Sequence, residues 1–151
     1  MSIVVPFDGS ELSRLALRRA AVMSAAFDAA VHAVTVVPRG ADYARDQGWI
    51  DADEPFDGDR IVERLRAQVA EVAPDATYHA QRVDSRLPRG SIAKRLRRFA
   101  REHDANVVFV GSENAGRVVT PISSVGGTVA ADEDYDVYVV RNRRPYLTDR
   151  V

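Results

Sequence analysis

The chain has 151 residues, 46% of them hydrophobic, and its 21 basic side chains nearly balance 22 acidic ones. That length suits a single domain, residues 1–151, able to bury its own core, and the lack of cysteine excludes a disulfide framework and thiolate chemistry. No apolar run approaches the roughly 20 residues of a membrane span, and MSIVVPFDGS carries no basic segment before its apolar one, so a soluble, cytoplasmic protein without a secretory signal is expected.

In chain order, Ser2 to Pro6 reads as a first strand and is followed by the loop VPFDGSELS. Leu12, Leu15, Ala16, Ala20, Met23 and Phe27 then recur at steps of three and four, a helical core stripe with Arg14 and Arg18 on the opposite face. A second strand is expected at Val31 to Val37. Residues 38–59 are the least regular stretch, with seven acidic against two basic side chains and the aromatics Tyr43, Trp49 and Phe56. Connections that long are functional or disordered. A partly mobile acidic loop is expected, with covering a ligand as one role open to it.

Ile61, Leu65, Val69 and Val72 mark a second helix, and Thr77 to Val83 a third strand whose polarity suits a sheet edge. A third helix carries Ile92, Leu96, Phe99, Ala100 and His103. Residues 82–101 hold eight basic against one acidic side chain, so the near-neutral total hides two opposite patches. Asn106 to Val110 is the fourth strand, and the glycine- and hydroxyl-rich GSENAGRVVTPISSVGGT follows it. The chain closes with a last helix, a fifth strand at Val137 to Val140 and a tail over residues 142–151.

Residues 3–5 and 107–110 are continuously apolar and 34–37 are apolar apart from Thr35, the mark of strands covered on both faces. Five strands in all, alternating with about four helices, predict a doubly wound, parallel α/β sheet. Ligands bind such sheets beyond the carboxyl ends of the strands, where the winding reverses. The loops after the first and fourth strands are therefore the candidate site.

Two roles are open to Asp8 in the first loop. It can form a capping box with Glu11 and open the first helix, the reading the local sequence favours, or it can accept hydrogen bonds from a ribose or base. In the second loop Gly111 and Gly116 have the spacing of a Walker A motif, but Arg117 and Val118 stand where that motif has lysine and then serine or threonine. No hydroxyl is offered there to Mg²⁺, which excludes a conventional P-loop NTPase. Thr120-Pro121 reads as an N-cap with proline at the first helical position, and Ser123 or Ser124 would cap a helix starting later. Either start aims free amide hydrogens and a positive dipole end at the loop, a generic anion site.

Together the two loops resemble those of the universal stress protein family, which has VPxDGSExS after its first strand and G-x2-G-x9-G-[ST] after its fourth. Residues 5–13 match the first element almost letter for letter, and REHDANVVFVGS and SSVGGTVAADEDYDVYVVR resemble later passages of the family. The resemblance implies a Rossmann-like sheet in the order 3-2-1-4-5. In members that hold ATP it implies Asp8, Pro6 and the backbone near Val36 and Val37 at the adenosine, and the second loop at the phosphates. There Gly111 matches the first glycine, Asn114 replaces the second, Ser123 replaces the third and Ser124 supplies the hydroxyl, with the intervening segment one residue short. Asparagine is the substitute that best tolerates a left-handed backbone. Glu113 opposes a polyphosphate, and Gly116 and Arg117 complete the candidate set, Arg117 offsetting that acid.

The expected function is that of a stress-response protein binding ATP or AMP, with Mg²⁺ left open. The alternatives are a nucleotide-free member acting through protein contacts and a slow ATP hydrolase. His32, His79 and His103 lie on separate elements without paired spacing or an HExxH, so no metal site is expected, and no G-x-S-x-G elbow is present. Lys94, Arg97, Arg98 and Arg101 form a basic helix face, read as solvated rather than as a nucleic-acid surface. The last strand would leave an exposed edge. The resemblance implies a homodimer paired there through Val137, Tyr138, Val139 and Val140; Tyr146 and Leu147 of the tail add apolar surface that either supports the pairing or packs on its own subunit.

Overall fold

The computed structural model describes residues 1–84, 90–118 and 134–144. Strands β1 (Ser2–Pro6), β2 (Ala30–Pro38), β3 (Thr77–Val83), β4 (Val107–Gly111) and β5 (Asp136–Val140) form one all-parallel sheet in the order β3-β2-β1-β4-β5. Helices α1 (Glu11–Phe27) and α3 (Gly58–Val72) cover one face and α4 (Ser91–Glu102) the other. The polar third strand lies at an edge, as its composition predicts.

Alternation along β1 builds both cores. Ile3 and Val5 pack with Leu12, Leu17, Ile61 and Leu65 under α1 and α3. Val4 points the other way, into a layer with Val34, Val108, Leu96 and Phe99 under α4. Each fully buried Leu, Ile or Phe contributes roughly 1.5–3 kcal/mol of apolar transfer, so the strand with partners on both faces is the natural centre of the sheet. Between β1 and β4 the winding reverses, and the loops that leave these two strands open on the same end.

Two expectations change. Phe27, assigned to the core stripe, is 54% exposed, and the buried residues of α1 end at Ala20. Residues 38–59 contain a short helix, α2 (Ala41–Asp46), and Ala44, Trp49 and Ile50 are buried. Arg64 of α3 holds this segment, donating to the Trp49 carbonyl at 3.1 Å and pairing with Glu54 at 2.8 Å. The acidic side chains obscure this in the sequence, since they face solvent while a few apolar ones anchor the backbone.

Candidate functional site

The β1 loop is shaped by its helix start. Ser10, in extended conformation, is the N-cap of α1, and its Oγ accepts from the Ser13 amide at 3.2 Å. The Asp8–Glu11 capping box is therefore not formed: Gly9, at φ +80°, turns the chain so that the cap falls two residues after Asp8. A Cβ at Gly9 would also stand 2.9 Å from Gln68 Oε1. Asp8 is left facing the space beyond the sheet, its Oδ1 accepting from the Ser10 amide at 2.9 Å and its Oδ2 from Asn114 Nδ2 at 2.8 Å. Burial works against its charge, but the hydrogen bonds from Ser10, Asn114 and Ser13 outweigh it and hold the carboxyl below its ordinary 3.8. Asp8 is an anion at neutral pH.

The β4 loop meets it. Gly111 ends β4 at φ −66°, and a Cβ there would lie 2.8 Å from Leu12 Cβ and 3.1 Å from the Leu12 carbonyl carbon. Its glycine is explained by the close passage of α1, not by a left-handed backbone. Residues Ser112–Arg117 wind into a 3₁₀ helix that places Asn114, 8% exposed, against Asp8. Asn114 is not left-handed either; among the described residues only Asp28 and Asp104 have positive φ without being glycine. What the asparagine brings is its amide. At Gly116 a Cβ would meet nothing within 4 Å, so the Walker-like spacing answers no steric need there.

Between the loops lies a crevice walled by Pro6, Phe7, Val34, Thr35, Val36, Ile92 and Leu96 and closed by Asp8, Asn114, Arg117, Tyr43 and Trp49. The Trp49 indole donates to the Asp8 carbonyl at 2.8 Å, and the Tyr43 and Trp49 rings meet edge to face at 5.6 Å. Burial pushes the Tyr43 hydroxyl up, although Arg117 hydrogen-bonds it. The cavity among these residues is about 20 Å³. A second hollow of about 270 Å³, next to Gln47, Arg64 and Gln68, shares Asp8 and Trp49 as walls.

The structure thus brings Pro6, Asp8, Val36, Asn114 and Arg117 to one crevice, with Gly111 behind it. Val37 differs: strand alternation sends its side chain into the core under α3. Thr120, Pro121, Ser123 and Ser124 lie outside the described residues. Sequence reading did not assign Tyr43, Trp49, Ile92 or Leu96 to the site; the two aromatics in an otherwise acidic segment were the available signal. Along β5, Val139 is 38% exposed, whereas Val140 is 1% exposed and its side chain belongs to the core, so at an edge pairing it would contribute backbone. Tyr138 stacks on Phe109 at 4.6 Å, and Tyr146 and Leu147 fall outside the described residues.

A parallel α/β sheet with a crevice at its switch point defines a class of domain with ligand-binding loops. The chain belongs to the universal stress protein family, which matches residues 1–141. No curated protein matches. Solved structures with the same fold include a universal stress protein in complex with cAMP, 22% identical at a TM-score of 0.51, covering 93% of this chain and 96% of that one. Another is the Archaeoglobus fulgidus universal stress protein in complex with dAMP, at 19% identity and a TM-score of 0.52, covering 93% and 97%. The universal stress protein UspA from Lactobacillus plantarum is 16% identical at a TM-score of 0.50, covering 93% and 97%. Among the described residues no helix is long and apolar enough to cross a membrane.

Proposed function

We propose that this protein binds an adenine nucleotide, AMP or ATP, in the crevice between the loops leaving β1 and β4. The observation that carries the reading is Asp8, an ionised carboxylate at the mouth of an apolar cleft. Such a pairing suits a nucleoside, with ribose hydroxyls donating to the carboxylate and a purine against Pro6, Val34, Val36 and Leu96. On this reading Arg117 leaves the Tyr43 hydroxyl for a phosphate, beside Gly111, Asn114, Gly116, Ser123 and Ser124. The ligands of two universal stress proteins with this fold, cAMP and dAMP, support the adenine class. A cavity of about 20 Å³ has room for about one water, so nucleotide entry requires Tyr43 and Trp49 to swing outward.

That small volume favours a second reading, a family member that works through protein contacts without nucleotide. In either case we infer a homodimer paired along β5, which among the described residues has no strand beside it on the side away from β4. Thermal denaturation of dialysed protein separates the two readings. Millimolar AMP or ATP, with and without Mg²⁺, is expected to raise the melting temperature, since ligand at 100 times its Kd adds about 2.7 kcal/mol. No shift and no co-purified nucleotide would leave the second reading standing.

A further inference from the structure

The chain's three histidines, on β2, on β3 and just after α4, form one cluster. Ring centroids lie 5.2 Å apart for His32 and His79, 5.2 Å for His32 and His103, and 5.0 Å for His79 and His103. Strand register explains the first pair. His32 lies opposite Thr77 and Val34 opposite His79, so the two imidazoles are diagonal neighbours on one face of the sheet. On that face α4 contributes Phe99, which stacks on His103 at 3.8 Å and meets His79 edge-on at 4.9 Å.

The hydrogen positions follow from the contacts. A carbonyl only accepts, so His103 Nδ1, 2.9 Å from the Phe99 oxygen, carries a proton. His32 Nδ1 and His79 Nε2 are 3.0 Å apart, and one must donate while the other accepts. That contact holds one proton. If both rings were fully protonated, two N–H groups would face each other across it.

We propose that His32, His79 and His103 form an acid-sensitive clamp that holds the end of α4 on the β2–β3 edge of the sheet and releases it as the imidazoles become charged. Burial, then the charge of His103, holds His32 below its ordinary 6.5, and His79 is lowered by burial, His103 and His32. From β2 and β3 the facing groups are the two imidazoles, and from α4 they are Phe99 and His103. Among the described residues, the charges acting on His32 and His79 are the cluster's own. Because the folded values are depressed, the unfolded chain takes up protons first. The clamp is fully closed above pH 6.5 and weakens as pH falls through the folded values. Ile92 and Leu96 of the same helix wall the crevice, so release would loosen the site as well. That consequence rests on the nucleotide reading, whereas the clamp does not. Among the described residues no group of three or more such side chains is arranged to hold a metal ion.

With three histidines in the chain, imidazole NMR on the whole protein resolves each ring. Between about pH 8 and pH 5, His32 and His79 are expected to titrate with midpoints below 6.5. Over the same range the melting temperature of the wild type should fall further than that of His79→Gln. Midpoints at or above 6.5, or equal falls in both proteins, would overturn the proposal. If His79→Gln does not fold, the wild-type titration decides alone. Zn²⁺ that raises the wild-type melting temperature at neutral pH, but not that of the variant, would also overturn it in favour of a metal site.

Discussion

Asn114 Nδ2 lies 2.8 Å from Asp8 Oδ2, so the loop after β4 closes onto the loop after β1 across 106 positions of sequence. The acceptor is charged and the donor is buried. Asn114→Ala should therefore cost about 1.5–3 kcal/mol, read by urea unfolding at neutral pH. Asn114→Asp should cost more there, because two carboxylates then share the site, and should recover as the pH falls and one of them takes a proton. An aspartate variant without that pH response would mean the two side chains are not in contact in solution.

Asp8 itself gives a prediction at acid pH. Its folded-state value lies below 3.8, so the stabilisation is complete above 3.8 and lost as the pH falls through the lowered value. Asp8→Asn should be less stable than wild type at pH 7, and the gap should narrow below about pH 3.8. Denaturant curves at the two pH values check this, and a constant gap would point to packing instead of charge.

The sheet was readable because its strands are short apolar runs with turn residues between them, and Ile3, Val4 and Val5 bury both ways wherever the helices fall. The site was less readable. Asp8, Ser10 and Glu11 all have capping chemistry, and the choice among them is made by the backbone at Gly9, which local composition does not specify. The Asp8–Asn114 bond and the cluster of His32, His79 and His103 join residues far apart in sequence, so they appear only once the register of β2 against β3 and the seat of α4 are known. Trp49 does lie in a loop, after α2, but its burial was not legible among acidic neighbours because it depends on Arg64 and on the Asp8 carbonyl.

Gly111 separates packing from phosphate binding. Gly111→Ala would press a methyl group onto Cβ and the carbonyl carbon of Leu12 and should destabilise by about 1–3 kcal/mol. Gly116→Ala meets open space and should stay within about 0.5 kcal/mol of wild type. Unfolding of both variants without nucleotide is the measurement. Equal stability would show that α1 and β4 do not approach as closely as 2.8 Å implies.

The proposed dimer turns on Val139, which is 38% exposed on the edge strand. A lysine there places charge on a strand edge, a device that blocks edge pairing. Val139→Lys should sediment as a monomer at concentrations where wild type is a dimer, with its fold intact because the side chain is outside both cores. A monomeric wild type would remove β5 pairing from the account of function.

Trp49 offers a direct view of the crevice, since it is the chain's single tryptophan and its indole is hydrogen-bonded to the Asp8 carbonyl. It also stands between the cavity of about 20 Å³ and the hollow of about 270 Å³. Trp49→Phe removes the N–H donor, worth about 0.5–1.5 kcal/mol, and some of the ring that divides the two spaces. The variant should be modestly less stable, and its α2 segment should exchange amide hydrogens faster. In the wild type, AMP or ATP entering between Asp8 and Val36 must move the indole, so nucleotide should change its emission with the same midpoint as the thermal shift. Nucleotide that raises the melting temperature while the emission stays constant would mean the ligand binds elsewhere and that Trp49 keeps the crevice shut.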